Sequence, residues 1–380
     1  MTHNDGRKTM QQEIDHVRVN NPDLLAPMGE FTDNCECWGK ATKGGIIYYE
    51  TTTVIIDNGN YDRSVFPKTY TVFKSNSMER YNDKDTTQLG KFNAGSTESV
   101  YLLGDRGITY HNFVGEGLMK TTIDLIRVRT SNTILENEEY ATDLEKLDFI
   151  KYQTLINPNY NIETDSGTVV CIENLRFRNT DKSYLDIKRF MTGLYDTSRP
   201  RSIKWNLYNW TKTENIESPN DIIIPQNLSF GCESSDSVMY VYKSENDTFT
   251  YDTKKQNNLG TLLYSAKIKT LFLDESHQIK EREIFGNTTD EERVGYYIRR
   301  AGRLLTGIKP KRFNITTGMN RSKGIRKILD IPVCKEADND FNVGTFKKIT
   351  EDSREYFRPE LQAFLEQNFK GSSAERDKIH

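Results

Sequence analysis

The segment Glu30-Phe31-Thr32-Asp33-Asn34 constrains this chain most. It sits in a stretch patterned for a helix. Downstream, the short apolar run Val54-Ile55-Ile56 ends in Asp57-Asn58-Gly59. Residues four apart on a helix share a face, so Glu30 and Asn34 can project toward one place. A carboxylate there can orient a water, and an amide oxygen beside it can ligate a hard divalent cation. Asp57 closes an apolar strand, where a buried carboxylate can accept a hydrogen bond from an amino group.

The chain has 380 residues, enough for two domains that each bury a core. Its mean hydropathy of −0.72 is polar for a globular protein. The 18 Phe and 20 Tyr still supply core material and argue against wholesale disorder. A net charge of −3 does not mark the whole chain as a nucleic-acid binder, so local charge has to be read instead. No apolar run approaches the roughly 18 residues of a membrane span, and residues 1–21 lack an apolar signal core. The cysteines Cys35, Cys37, Cys171, Cys232 and Cys334 are odd in number and scattered, which predicts free thiols in a reducing compartment and no structural metal.

Along the chain, Asn21-Pro22 reads as an N-cap followed by Pro at the first helical position. That helix is predicted to run toward Lys43 and to end at Gly44-Gly45. Ile46 to Ile56 reads as a strand or hairpin, Gln88 to Leu103 as a glycine-bearing loop and a helix start, and Gly107 to Phe113 with Leu118 to Val128 as paired strands. Glu136 to Leu155 reads as an acidic helix with a solvated face, and Thr168 to Ile172 as a buried strand. A domain change is expected near Arg178 to Ser183. Beyond it, Tyr184 to Tyr195 is helical, and Ile203 to Trp210, Met239 to Tyr242, Thr248 to Tyr251 and Thr261 to Ile268 are strands. Gly295 to Leu305 is a strand pair or strand-turn and Pro359 to Phe369 a final helix. Pattern alone gives two α/β or α+β domains.

Two further segments complete the motif set. Gly90-Lys91-Phe92-Asn93-Ala94-Gly95-Ser96 precedes a helix, and glycine-bearing turns at a helix N-terminus can cradle phosphates. Ser166-Gly167-Thr168-Val169-Val170-Cys171-Ile172-Glu173-Asn174-Leu175-Arg176 is a strand that ends in a polar turn. Each segment alone is also what an ordinary helix face, an Asn-Gly turn, a capping loop or a core strand would show. Together they suggest an ATP site without a P-loop.

In this order the motifs resemble the GHKL ATPase superfamily, and most closely its microrchidia branch, over Met28 to about Arg176. The resemblance implies a GHKL α/β sandwich over residues 21–180, preceded by an arm over 1–20. A transducer-like α/β domain of the ribosomal S5 type would cover 181–371, with a disordered tail over 372–380. It implies that Glu30 is the general base and Asn34 the Mg²⁺ ligand. Asp57 would read the adenine amino group, Gly59 would admit the base, and Thr168 would close the pocket. Gly90, Lys91, Phe92, Asn93, Ala94, Gly95 and Ser96 would form the phosphate lid. Cys37, Tyr61, Asn93 and Thr97 depart from the family pattern, and Thr97 removes a phosphate-binding lysine.

Gly295 to Leu305 also resembles a microrchidia segment, and Lys347 or Lys348 is the transducer lysine that the resemblance expects to reach the γ-phosphate. Separately, Tyr296 to Leu329 holds ten basic residues and no acidic one: Arg299, Arg300, Arg303, Lys309, Lys311, Arg312, Arg321, Lys323, Arg326 and Lys327. Such a run can bind a phosphate backbone or form a solvated basic face. The expectation is a Mg²⁺-dependent ATPase with slow turnover, an ATP-gated homodimer that clamps or compacts DNA, with no membrane span and an intracellular location. The rivals are a nucleotide-sensing module without turnover and the ATPase subunit of a topoisomerase-like assembly. The richness in Asn, Lys, Ile and Tyr fits an AT-rich genome such as a viral one.

Overall fold

The computed structural model describes residues 18, 25–37, 39–61, 95–125, 138–194, 203–210, 218–224, 228, 231–286, 290–306, 309–313, 315, 324–343 and 357–379. The fold is α+β, with two mixed sheets that lie in two compact units. Among the described residues, 18, 25–61, 95–188 and 203–224 belong to the first unit, and 189–194 and 228–379 to the second.

The first unit holds an eight-stranded sheet. Its strands are β1 (Lys43–Tyr48), β2 (Thr52–Asp57), β3 (Arg106–Phe113), β4 (Gly117–Asp124), β5 (Glu138–Tyr140), β6 (Gly167–Glu173), β7 (Lys204–Asn209) and β8 (Asp221–Ile223). They lie in the order β5-β4-β3-β6-β2-β1-β7-β8. Four helices accompany it: α1 (Leu25–Cys37), α2 (Gly95–Leu103), α3 (Asp143–Ile156) and α4 (Asp181–Leu194), the last of which ends in the second unit.

Side chains alternate across a strand, and this sheet carries a helix layer on each face. Ile47, Val54, Ile56, Val169 and Tyr208 pack with Phe149 and Ile156 of α3 on one face. The intervening positions, Asp57 among them, point to the face where Cys35 of α1 meets Asp57, while α2 packs against α1. Ile46, Ile47, Val54, Ile55 and Ile56 are all buried. Each such aliphatic side chain contributes roughly 1.5–3 kcal/mol, so burial anchors the β1–β2 hairpin firmly.

Several expectations are corrected here. The first described helix stops at Cys37 rather than near Lys43, and Gly44-Gly45 lie inside β1 instead of ending a helix. Glycine is needed at 44 because a Cβ there would come within 2.6 Å of the Trp205 ring on β7. The acidic helix begins at Asp143, not Glu136. Thr142 and Glu145 form a reciprocal capping box, and residues 138–140 have joined the sheet edge as β5.

The boundary expected at 181 does not match the division of the sheets. β7 pairs parallel with β1, from Lys43↔Lys204 to Tyr48↔Asn209, so the first sheet takes its last two strands from beyond that point. Helix α4 is held to the same unit by Tyr184 Oη, which donates to Asp221 Oδ2 at 2.8 Å, and by Lys188, which pairs with Asp221.

The second unit is built on a six-stranded sheet. Its strands are β9 (Glu233–Lys243), β10 (Phe249–Asp252), β11 (Thr261–Phe272), β12 (Tyr296–Arg300), β13 (Arg303–Leu304) and β14 (Ile325–Ile331), in the order β10-β9-β11-β14-β12-β13. Helices α5 (Glu275–Phe285), α6 (Lys335–Asp340) and α7 (Pro359–Ile379) complete it. Ile298, Ile325, Leu329 and Ile331 pack with Ala337, Phe341, Leu361, Leu365 and Phe369 from the α6 and α7 side. Leu271, Tyr297, Leu304 and Ile328 pack with Phe285 of α5 in a separate cluster. The expected strand pair over Gly295 to Leu305 is the β12–β13 hairpin. The final helix continues to Ile379 where a disordered tail was expected from 372. Past Gly371, Ser372 is buried and its hydroxyl donates to the Asn368 carbonyl oxygen.

Candidate functional site

Three neighbouring strands of the first sheet set the site. Register places Asp57 on β2 opposite Thr168 on β6, and Thr168 opposite His111 on β3. The three residues come from positions 57, 111 and 168, yet they stand in one row across the sheet. All three are buried.

Asp57 is 1% exposed. Its Oδ1 accepts from the Gly59 backbone N–H at 2.7 Å. The Cys35 thiol lies 3.2 Å from its Oδ2 and 3.1 Å from the Phe31 carbonyl oxygen, so its proton is shared between them. Thr168 stands across from Asp57 in the register, and its hydroxyl lies 2.9 Å from His111 Nδ1. Burial pushes the Asp57 carboxyl up from 3.8 to about 6, and the Cys35 and Gly59 hydrogen bonds only partly oppose this. No cation among the described residues pairs with it. Burial, then the Asp57 charge, hold the Cys35 thiol well above its usual range, so it stays a proton donor.

The backbone around Asp57 is tight. The Asn60 N–H donates to the Gly39 carbonyl oxygen at 2.7 Å. A Cβ on Gly59 would lie 2.7 Å from Asp57 Oδ1 and 2.8 Å from the Gly39 backbone, so only glycine fits. From the opposite face, Gln153 of α3 donates its amide N–H groups to the carbonyl oxygens of Asp57 at 3.0 Å and Thr168 at 3.1 Å. One side chain thus locks the ends of β2 and β6 together.

The expected base and metal ligand lie on the helix that supplies Cys35. Glu30 is 3% exposed, Asp33 is buried and Asn34 is half-buried. Gly95 and Ser96 are the first two residues of α2. The other end of that helix is held by two cations. Arg18 donates to the carbonyl oxygens of Tyr101 at 2.8 Å and Gly104 at 3.0 Å, and pairs with Asp105. Arg176 donates to the Leu102 carbonyl oxygen at 3.1 Å. Cations suit a helix C-terminus because they complement its partial negative charge. Arg18 belongs to the expected N-terminal arm, and at this residue the arm is docked on its own chain. Gly90, Lys91, Phe92, Asn93 and Ala94 of the expected lid lie outside the described residues, as do Lys347 and Lys348.

The sequence brought Asp57, Gly59 and Thr168 forward, and the structure unites them. It also adds Cys35, His111, Gln153 and Tyr61. The Tyr61 ring meets His111 edge-on at 5.2 Å, and Phe113 does so at 4.4 Å. No spacing rule marks His111, because its partner lies 57 positions away. Gln153 is the buried polar residue of a helix whose other buried positions are Phe149 and Ile156, so periodicity alone hides it.

The basic run does not form the expected phosphate-binding surface. Arg299, Arg300, Arg303, Arg326 and Lys327 are each 9% exposed or less. Arg299 makes a two-pronged ion pair with Asp330 at 2.6 and 2.7 Å. Arg300 pairs with Asp338 at 2.8 Å. Arg326 grips Glu281 through two contacts of 2.8 Å. The Lys327 ammonium donates to the carbonyl and side-chain oxygens of Asn368. Lys309 pairs with Glu292 at the surface, and the Lys311 ammonium lies 5.5 Å from the Phe357 ring centroid. Arg312 is exposed, and Arg321 and Lys323 lie outside the described residues. The acids that meet Arg299, Arg300 and Arg326 are at 330, 338 and 281 (after and before the run), so three of the buried cations are matched by acids from outside the segment.

No family model matches the chain, and no curated protein matches it. Among solved structures, the crystal structure of the N-terminal domain of a DNA repair protein is similar, with 12% identity and a TM-score of 0.44. That alignment covers 97% of this chain and 99% of the other. At that score the likeness carries no argument about function. No described helix is long and apolar enough to cross a membrane.

Proposed function

We propose that the first unit binds an adenine nucleotide, with Asp57 as the acceptor for the base amino group. One observation carries this: a buried, ionisable carboxylate is held only by neutral donors, beside a glycine that no other residue can replace. A carboxylate has about four lone-pair positions, so the Gly59 and Cys35 bonds leave room for a further donor. A buried acid without a cation is costly to keep for structure alone, whereas a neutral N–H donor from a ligand would complete it without desolvating a second charge. Gly59 and Gly39 let the backbone approach such a ring closely.

In this reading Glu30 orients the attacking water, Asn34 holds Mg²⁺ through its side-chain oxygen, and the start of α2 at Gly95-Ser96 faces the phosphates, as the GHKL resemblance implies. The described residues contain no cluster of three or more His, Cys, Asp or Glu suited to a metal ion. Mg²⁺ is commonly held by one or two protein oxygens plus phosphates and water, and Asn34 would supply one of those oxygens. When bound, Mg²⁺ would neutralise phosphate charge. ATP-gated dimerisation and action on DNA rest on the resemblance alone, and the buried cations of β12, β13 and β14 give the DNA reading no support.

Binding without turnover is a second reading, favoured by the burial of Glu30 on α1. Calorimetric titration with ADP and ATP in Mg²⁺, followed by turnover assays on the intact chain and on Glu30→Ala, separates the two. Turnover lost in Glu30→Ala with binding kept supports the ATPase. Equal binding with no turnover in either supports the sensing module. No binding to the intact chain would overturn the nucleotide reading.

A further inference from the structure

Helix α1 and the turn after β2 are fastened to one another. Just beyond α1, the Gly39 carbonyl oxygen accepts from the Asn60 N–H at 2.7 Å, and the Cys35 carbonyl oxygen accepts from the Ala41 N–H at 3.0 Å. A Cβ on Gly59 would lie 2.8 Å from the Gly39 backbone, so the two segments touch. To these backbone contacts Cys35 adds its side chain. Its Sγ lies 3.2 Å from Asp57 Oδ2 and 3.1 Å from the Phe31 carbonyl oxygen. The thiol has one proton for these two acceptors. Phe31 and Cys35 both lie inside α1, and in a regular helix the carbonyl of one already accepts the backbone N–H of the residue four places on. An ionised carboxylate is also the stronger acceptor, so the thiol proton is drawn toward Asp57. Cys35 follows Asn34 directly, on the helix that also carries Glu30.

We propose that Cys35 is a positioning residue: its thiol ties the helix that carries Glu30 and Asn34 to the carboxylate of Asp57, so that the groups for the base and for the phosphates of a nucleotide are set by one contact. This rests on the nucleotide reading of the same site. Alanine at 35 would remove the donor and leave the backbone contacts between the two segments in place. Serine would restore a donor. A base amino group takes another lone pair of the same carboxylate and draws on its charge, so nucleotide binding should weaken the thiol's hydrogen bond and be felt in α1 through it.

The S–H stretching band in the Raman spectrum tests this directly, because a hydrogen bond lowers its frequency. Difference spectra against Cys35→Ser assign the Cys35 band among those of the five cysteines. At about pH 8, where Asp57 is ionised, the band should rise in Asp57→Asn and should rise when ADP binds the intact chain. ADP affinity should fall about threefold to tenfold in Cys35→Ala, the scale of one hydrogen bond, and recover in Cys35→Ser. A Cys35 band that stays put in Asp57→Asn would overturn the inference and leave the nucleotide site standing, as would unchanged ADP affinity in a folded Cys35→Ala. An intact chain that binds no ADP would remove both. If Cys35→Ala does not fold, the effect of ADP on the Cys35 band of the intact chain decides. A rise supports the inference, and an unmoved band overturns it.

Discussion

Both units bury carboxylates, and they complete them in opposite ways. In the second unit, Glu281 is fully buried between Arg326 and Arg293 and accepts from the Tyr297 hydroxyl at 3.1 Å. Asp338 meets Arg300. Asp340 accepts from Tyr264 at 2.7 Å and Tyr251 at 3.1 Å, and pairs with Arg358 at 2.8 Å. In the first unit, Asp57 is as deeply buried, but the hydrogen bonds to its carboxylate come from a backbone N–H and a thiol. Acids matched by guanidinium groups act as internal ties between a strand and a helix or between neighbouring strands. An acid held by neutral donors keeps its titration and its spare acceptor capacity, which is what a binding residue requires. Burial alone does not separate structure from function; the partner's charge does.

The sharpest way to break that comparison is Glu281→Gln. It keeps the shape but leaves Arg326 and Arg293 buried without a counter-charge. Removing one partner of a buried pair costs about 3–5 kcal/mol, so the midpoint of urea unfolding should fall steeply. A change below ~1 kcal/mol would show that the second unit's ties are not what holds it.

Asp57→Asn probes the other side. The Asp57 carboxyl is raised from 3.8 to about 6 in the fold. The folded protein therefore binds this proton more tightly than the unfolded chain does. The stability contributed is fully present below pH ~4 and is lost as pH rises through 6. The difference amounts to about 3 kcal/mol. Relative to the intact protein, Asp57→Asn should thus gain up to that amount between pH 4 and pH 7, as read by denaturant unfolding at each pH. Adenine-nucleotide binding should be lost in the variant, and in the intact protein it should weaken as pH falls below about 6. A pH-independent difference between the two proteins would mean that Asp57 is not ionising in the fold.

The smallest effect is expected at Lys309→Ala. Its pair with Glu292 is exposed on both sides, and such pairs contribute about 0–1 kcal/mol. Unfolding should be unchanged within error. This variant marks the baseline against which the buried pairs are read.

Much of the first site was legible in the sequence. Asp57-Asn58-Gly59 after an apolar strand announces a buried acid beside a tight turn, and Gly167-Thr168 before another apolar run announces its neighbour. Local chemistry suffices there because strand alternation and the sterics of glycine act over two or three residues. His111 and Gln153 were not legible. Each acts through a partner 57 and 96 positions away respectively, brought near only by strand register and helix packing. Element ends failed where a local rule was overridden. Gly44-Gly45 look like a helix stop, but the approach of Trp205 requires small residues within a strand.

By itself, the sequence determined the alternation that makes these strands, the glycine at 59, and the candidate acid at 57. Those depend on forces between close neighbours along the chain. Only the tertiary structure decided which charges are available. The ten cations between 296 and 329 read as one basic run. Asp330, Asp338, Glu281 and Asn368 occupy most of those that lie inside, because a buried charge must find a partner wherever the fold can bring one. Asp57 met no such partner among the described residues, and that difference singles it out as the residue poised for a ligand.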